Sequence, residues 1–208
     1  MTLKDYSPRK PFAESCERNK TPILNVLKQY LVQAQTVLEV GSGTGQHAIH
    51  FAEQLPFLTW LTSDLEINHH AIRAWQNDAG LANVQGPHVL DLANPLWPVS
   101  EVETVFTANT LHIVSWRLVE AFFHGAAKAL KAEGLLFVYG PFNYNGTFTS
   151  ESNARFNQWL LDRDPQSGIR EFEMVDLLAQ RQGLTLLDDI AMPANNRMLV
   201  WQRNADDR

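Results

Sequence analysis

Three glycines in five residues, Gly41, Gly43 and Gly45, follow the apolar stretch Val37 to Val40 and lead directly into the periodic run Gln46 to Leu55. Few folds accept that order of residues. Val37, Leu38 and Val40 suit a buried strand, the glycines suit a tight turn, and the run after them suits a helix. Lacking Cβ atoms, the turn can adopt positive φ and let its backbone approach a ligand closely. The helix it opens then offers free N–H groups and a positive dipole end. The spacing also excludes a common alternative, because the dinucleotide fingerprint G-x-G-x-x-G requires glycine at position 46, where this chain has Gln46.

Strand and helix signals alternate after the turn. Phe57 to Ser63 reads as a second strand ending at Asp64, which lies 19 residues beyond Gly45. An acid about 20 residues past a glycine turn, at the carboxyl end of strand two, can accept both hydroxyls of a ribose. A helix from about Ile67 to Ala79 is closed by Gly80, and Val84 to Leu90 with Asp91 forms strand three and its end. Val102 to Ala108 reads as strand four, feeding Asn109 to Val114, after which Ser115 caps a helix reaching about Lys131. Ligands of open parallel sheets sit outside the carboxyl ends of strands, so Asn109 and His112 are well placed. Gly134 to Gly140 is the fifth strand, and 141–183 reads as a helical insertion. The tail, Leu184 to Ile190 and Arg197 to Gln202, reads as two strands joined by a turn at Met192 to Asn196.

Ahead of the turn, residues 1–35 read as a lid segment. Thr21 with Pro22 gives a helix cap and first turn, and that helix runs to about Ala34. Glu17 to Lys20 then reads as solvated linker, with a place over the ligand for Arg18 and Asn19 as the alternative. At 208 residues, with 45% hydrophobic and 19% charged residues, the chain is sized for one domain with a full core. Net charge is −6, and the scattered Lys and Arg leave no footprint for nucleic acid, so a small neutral or cationic substrate is expected. There is no apolar run of membrane-spanning length, and Met1 to Pro8 lacks the apolar core of a secretory signal. A lone cysteine, Cys16, fits the reducing cytoplasm. Oligomeric state is open.

The pattern E-x-G-x-G-x-G, Glu39 to Gly45, resembles motif I of class I S-adenosylmethionine-dependent methyltransferases. The resemblance implies a doubly wound α/β sheet of about seven strands with the last strand antiparallel, and S-adenosylmethionine as cofactor. It puts the Glu39 carboxylate near the ligand's ammonium and sulfonium, with Gly41, Ser42, Gly43 and Gly45 forming the turn beneath. Asp64 then takes the ribose, while Asp91 and the N–H of Leu92 meet adenine, although Asp91 alone reads equally well as a turn cap before Pro95. Asn109, Arg18 and Asn19 complete the cofactor set. If the acceptor must lose a proton, His112 is the candidate base and Tyr144 a lesser one. The alternative for His112 is a hydrogen bond that only orients its neighbours. Phe142, Tyr144, Phe148, Phe156 and Trp159 either line a substrate pocket or belong to the core.

Other chemistries find less support. His47, His50, His69 and His70 lack a third ligand with zinc-type spacing. Asn94 to Trp97 superficially matches the loop of enzymes that methylate exocyclic amines, but it precedes strand four instead of following it. Nearly end to end, the chain resembles a methyltransferase-like family known as domain of unknown function 938, whose animal member is methyltransferase-like protein 26. That resemblance rests on Glu17 to Ile23, Leu38 to His47, Ser63-Asp64, Leu111 to Trp116, Gly140 to Gly146, Arg163 to Pro165 with Gly168 to Arg170, and Met192 to Asn196. It implies fold and cofactor and leaves the substrate open. The competing readings are a nucleotide-dependent oxidoreductase, disfavoured by Gln46 and the terminal hairpin, and a non-catalytic module that keeps the cofactor fold.

Overall fold

The computed structural model describes residues 10–205; the first nine residues of the expected lid segment lie outside them. The chain begins with α1 (Glu14–Tyr30), then β1 (Thr36–Val40), α2 (Gln46–Gln54), β2 (Thr59–Asp64), α3 (His69–Ala79), β3 (Val84–Val89) and β4 (Val102–Ala108). Next come α4 (Trp116–Ala129) and β5 (Leu130–Gly140), followed by β6 (Phe142–Asn143), α5 (Glu151–Arg163), β7 (Arg170–Glu171) and α6 (Phe172–Arg181). β8 (Leu184–Met192) and β9 (Asn196–Arg203) close it. Seven strands form one sheet in the order β3-β2-β1-β4-β5-β9-β8, while β6 and β7 pair separately. β9 runs antiparallel to both its neighbours, and the other pairings of the large sheet are parallel. This is the expected doubly wound α/β architecture. The order reverses between β1 and β4, and the crevice outside the carboxyl ends at such a switch point is where ligands enter.

Two hydrophobic layers sandwich the sheet because successive strand residues face opposite ways. Val37, Trp60, Phe106 and Phe137 pack with Phe51 of α2 and Ile23 and Leu27 of α1. Their neighbours Leu38, Val105, Leu136 and Val138 face the other layer, with Phe122 and Phe123 of α4 and Val175 of α6. No helix among the described residues is long and apolar enough to cross a membrane.

The N-terminal helix departs from the sequence expectation. It begins at Glu14, so Thr21 and Pro22 lie inside it, and it ends at Tyr30. Proline deprives the Arg18 carbonyl of its helical donor, but Ile23, Leu24, Val26 and Leu27 are buried, and that packing holds the helix across the break. The early start has tertiary causes: the N–H of Ala13 donates to Gln46 Oε1 at 2.6 Å, and Trp75 Nε1 donates to the Pro11 carbonyl at 2.7 Å. Glu17 to Lys20 is therefore helix, not linker.

Outside the sheet, the Trp97 ring lies flat on α4 at Gly125, where an added Cβ would stand 2.2 Å from Trp97 Cε2. Overpacking of this kind costs about 1–3 kcal/mol. Gly125→Ala should therefore lower the melting temperature by about 2–12 °C in a thermal unfolding scan, despite alanine's higher helix propensity; an unchanged or raised value would show that Trp97 yields freely.

Candidate active site

The glycine turn has left-handed backbone at Gly41 (φ +76°), Gly43 (+58°) and Gly45 (+87°). The N–H groups of Gly41 and Ser42 both donate to the Ser63 carbonyl at 3.0 Å, tying the turn to the end of β2. The glycines serve two purposes. A Cβ at Gly45 would lie 3.2 Å from Ile72 Cα and one at Gly41 3.0 Å from Thr110 Oγ1, whereas one at Gly43 would meet nothing within 4 Å. Packing thus accounts for two of them, and Gly43 is left with an open face.

Glu39 braces the turn. It is buried among the turn's supports, accepting from Trp60 Nε1 at 3.1 Å and from Ser42 Oγ at 2.9 Å. Burial outweighs these two donors and pushes the carboxyl up to about 7. Ser42 Oγ in turn accepts the Ser63 N–H at 3.1 Å, so Glu39 and Ser42 brace the turn from within. Both donors fall on Oε2, so Oε1 keeps its acceptor capacity.

Asp64 stands at the end of β2 as expected, and its Oδ2 accepts the Gly43 N–H at 2.7 Å. Its Oδ1 accepts from Leu65 N–H and Asn68 Nδ2, both at 2.7 Å, so further acceptor capacity remains on Oδ2. The Leu90 N–H donates to the Asp64 carbonyl at 3.0 Å, bringing Asp91 and Leu92 to the neighbouring strand end. Asp91 is exposed and caps a turn, accepting the Ala93 N–H on Oδ1 at 2.8 Å. At the head of α2, Gln46 Oε1 is engaged by Ala13 N–H and Thr44 Oγ1, while its Nε2 is buried without a partner among the described residues.

A cavity of about 1090 Å³ opens at the carboxyl ends of β4 and β5, walled by α1, the loop after β4, α5 and the β8–β9 turn. Arg18, Asn19, Asn109 and His112 all line it. Asn19 is buried and hydrogen-bonded to His47 at 2.6 Å, and its side chain also interacts with the cavity-lining Tyr139. α1 is thereby fastened to the glycine turn and α2 while also forming a wall of the cavity.

His112 is buried, with its ring edge-on to Phe156 at 5.4 Å, and neither ring nitrogen has a hydrogen-bond partner among the described residues. Burial first, and then the charge of Arg170, drives its pKa down to about 4, so the imidazole is neutral near pH 7. Its loop is held by one short segment. Arg170 donates from Nε to the Leu111 carbonyl at 2.9 Å and from Nη2 to that of Val114, Gly168 N–H to that of His112 at 2.9 Å, and Ser167 Oγ to that of Ile113 at 2.7 Å.

Tyr144 is not on the cavity wall. Its hydroxyl donates to Asp189 Oδ2 at 2.8 Å, its ring stacks on Phe172, and burial with the Asp189 carboxylate holds the phenol far above its usual range. It supports β8 from a distance, and the candidate base is His112 alone. Of the five aromatics left open by the sequence, Phe156 and Trp159 line the cavity, Phe142 belongs to the core, Phe148 is exposed, and Tyr144 is the support just described. Tyr139, Arg163 and Asn196 also line the cavity; the first was read only as part of strand five, and the other two only as members of the segments that carry the family resemblance, with no role given.

A model of a family described as a protein of unknown function (DUF938) matches residues 10–203. Among solved structures, an O-methyltransferase family protein from Burkholderia thailandensis is 18% identical, with a TM-score of 0.81 over 93% of this chain and 59% of its own. Human N-acetylserotonin methyltransferase in complex with SAM is 13% identical, with a TM-score of 0.78 over 92% and 53%. An O-methyltransferase family 2 protein from Planctomyces limnophilus in complex with apigenin is 13% identical, with a TM-score of 0.72 over 88% and 61%. This chain thus spans between about half and three fifths of the length of each. The likeness is one of fold.

The Glu39 carboxyl carries a pH signature. Its folded pKa of about 7 exceeds the ordinary carboxylate value, so its contribution to stability is full below pH ~4 and is lost as pH rises through about 7. Glu39→Gln should flatten the decline in melting temperature of the native protein between pH 5 and 8 while keeping the brace to Trp60 and Ser42; an unchanged slope would locate the decline elsewhere.

Proposed function

The chain belongs to the DUF938 family, and from that premise and the methyltransferase fold we propose that it transfers a methyl group from S-adenosylmethionine to a hydroxyl of a small molecule held in the cavity. One observation carries the reading. α1 is hydrogen-bonded to the head of α2 through Ala13 and Asn19 and also walls the cavity with Arg18 and Asn19, so the glycine turn and the cavity share one partition. The open face over Gly43 and the unpartnered Gln46 Nε2 at the head of α2 fit a polar cofactor. S-adenosylmethionine, when bound, supplies a methyl activated by a sulfonium. Asp64 Oδ2 would take a ribose hydroxyl, Asp91 and the Leu92 N–H the adenine, and Arg18, Asn19 and Asn109 the amino-acid end.

Alignment is the main demand on the protein, because methyl transfer is an in-line displacement and orientation alone can be worth ~7–11 kcal/mol. The neutral His112 would take the proton that the acceptor hydroxyl gives up on receiving the methyl. The acceptor is a small molecule, with no part for nucleic acid or membrane, and the lone Cys16 accords with a cytoplasmic setting. That O-methyltransferase family relatives share the fold supports oxygen as the atom methylated.

Two measurements test this. At a hundred times their dissociation constants, S-adenosylmethionine and S-adenosylhomocysteine should each add ~2.7 kcal/mol, or roughly 5–10 °C in melting temperature, with no shift from NAD. No shift from either would put the non-catalytic reading first, as would binding without methylated product. With an acceptor in hand, turnover should be flat from pH 6 to 8 and fall only as His112 protonates toward about 4. His112→Gln should lower kcat by about a hundredfold or more; full turnover in that variant would remove the histidine from the mechanism.

A further inference from the structure

α5 turns an unusual face toward the cavity. Phe156, Trp159, Leu160 and Arg163 all line it, at intervals of three and four residues that place them on one side of the helix. Trp159 is 49% exposed although it is among the largest apolar side chains. Its ring stacks on Phe156, with centroids 5.7 Å apart and planes 18° from parallel, and the Arg163 guanidinium lies 4.6 Å from the Trp159 ring centroid. The stripe therefore begins at Phe156, in edge contact with His112, and ends in a cation. Arg163 has no carboxylate partner among the described residues, and the one acid beside it on the wall, Asp164, commits Oδ1 to the Gln166 N–H at 2.9 Å.

We propose that the acceptor is a hydroxylated aromatic acid, whose ring system lies along Phe156 and Trp159 with its hydroxyl at His112 and its carboxylate or other acidic group on the Arg163 guanidinium. The inference rests on the methyl-transfer reading for the hydroxyl end and stands apart from it for the acidic end. A stacked guanidinium is already oriented, so its fork loses little freedom on meeting a carboxylate. Two turns of helix carry the stripe from Phe156 to Arg163, a rise of roughly 10 Å, so an acceptor lying along it needs about the length of two fused rings. An acidic acceptor also runs against the chain's net charge of −6, which on its own favours neutral or cationic substrates; charge on the cavity wall, not on the whole surface, decides what enters.

The test uses a hydroxynaphthoic acid with its two groups at opposite ends, and its methyl ester as the neutral control. Calorimetric titration into the full chain with saturating S-adenosylhomocysteine should give about tenfold or tighter binding for the acid. Arg163→Met should bring the ratio of the two affinities toward one, and Arg163→Lys should restore part of it. Equal affinities in the wild type, an undiminished preference in Arg163→Met, or no binding of either compound would overturn the proposal. Methyl transfer assayed in parallel reads the underlying function separately. An acid preference without methylated product would keep the anion site and sink the methyltransferase reading, whereas turnover that favours the ester would do the reverse.

Discussion

The loop that leaves β4 carries four carbonyls in succession, from Leu111 to Val114, and each needs a donor. All four are met from Ser167, Gly168 and Arg170. The position of His112 follows from that satisfaction, since its own carbonyl is one of the four. Burial keeps the imidazole neutral, and the positive charge of Arg170 adds to that effect. A single guanidinium thus acts on both the place and the protonation of the candidate base, and the helical insertion becomes part of the site's framework. The sequence motifs around Leu111 and Gly168 belong together for this reason: one supplies orphan acceptors and the other the donors.

The glycine turn obeys a similar economy of partners. Glu39 lies on the same face of β1 as Val37, which sends it toward Trp60 and the α1–α2 layer. There the indole N–H and the Ser42 hydroxyl both take up one of its oxygens, so the acid fixes the loop through Oε2 and keeps Oε1 as an acceptor.

How much of this was legible from the residues alone depends on the range of the interactions involved. Strands four and five and the terminal hairpin announced themselves through local runs of β-branched and aromatic residues, and Asp64 through its distance from the glycines. The start of α1 did not, because Gln46, His47 and Trp75, far along the chain, hold a segment that carries few apolar residues of its own. The direction of Glu39 was available from strand parity with Val37. Tyr144 looked like a cavity residue by proximity in sequence to β5, and its partner Asp189 lies 45 positions later. Arg163 could be seen as the end of a helix before Pro165 and as part of a segment that carries the family resemblance, but nothing local says that its helix face looks into a hollow.

The walls of that hollow come from two separated parts of the chain, Ser15 to Pro22 and Asn109 to Asn196. During synthesis the glycine turn and the acids after β2 and β3 are finished when less than half of the chain has emerged. The acceptor side waits for the turn that joins β8 to β9. Enclosure is thus a late, long-range event in the life of each molecule, of the kind that folds slowly because distant segments must meet before any contact rewards them. It also means that whatever fills the hollow clasps the two ends of the chain together, and its grip would be felt as resistance to unfolding of the molecule as a whole.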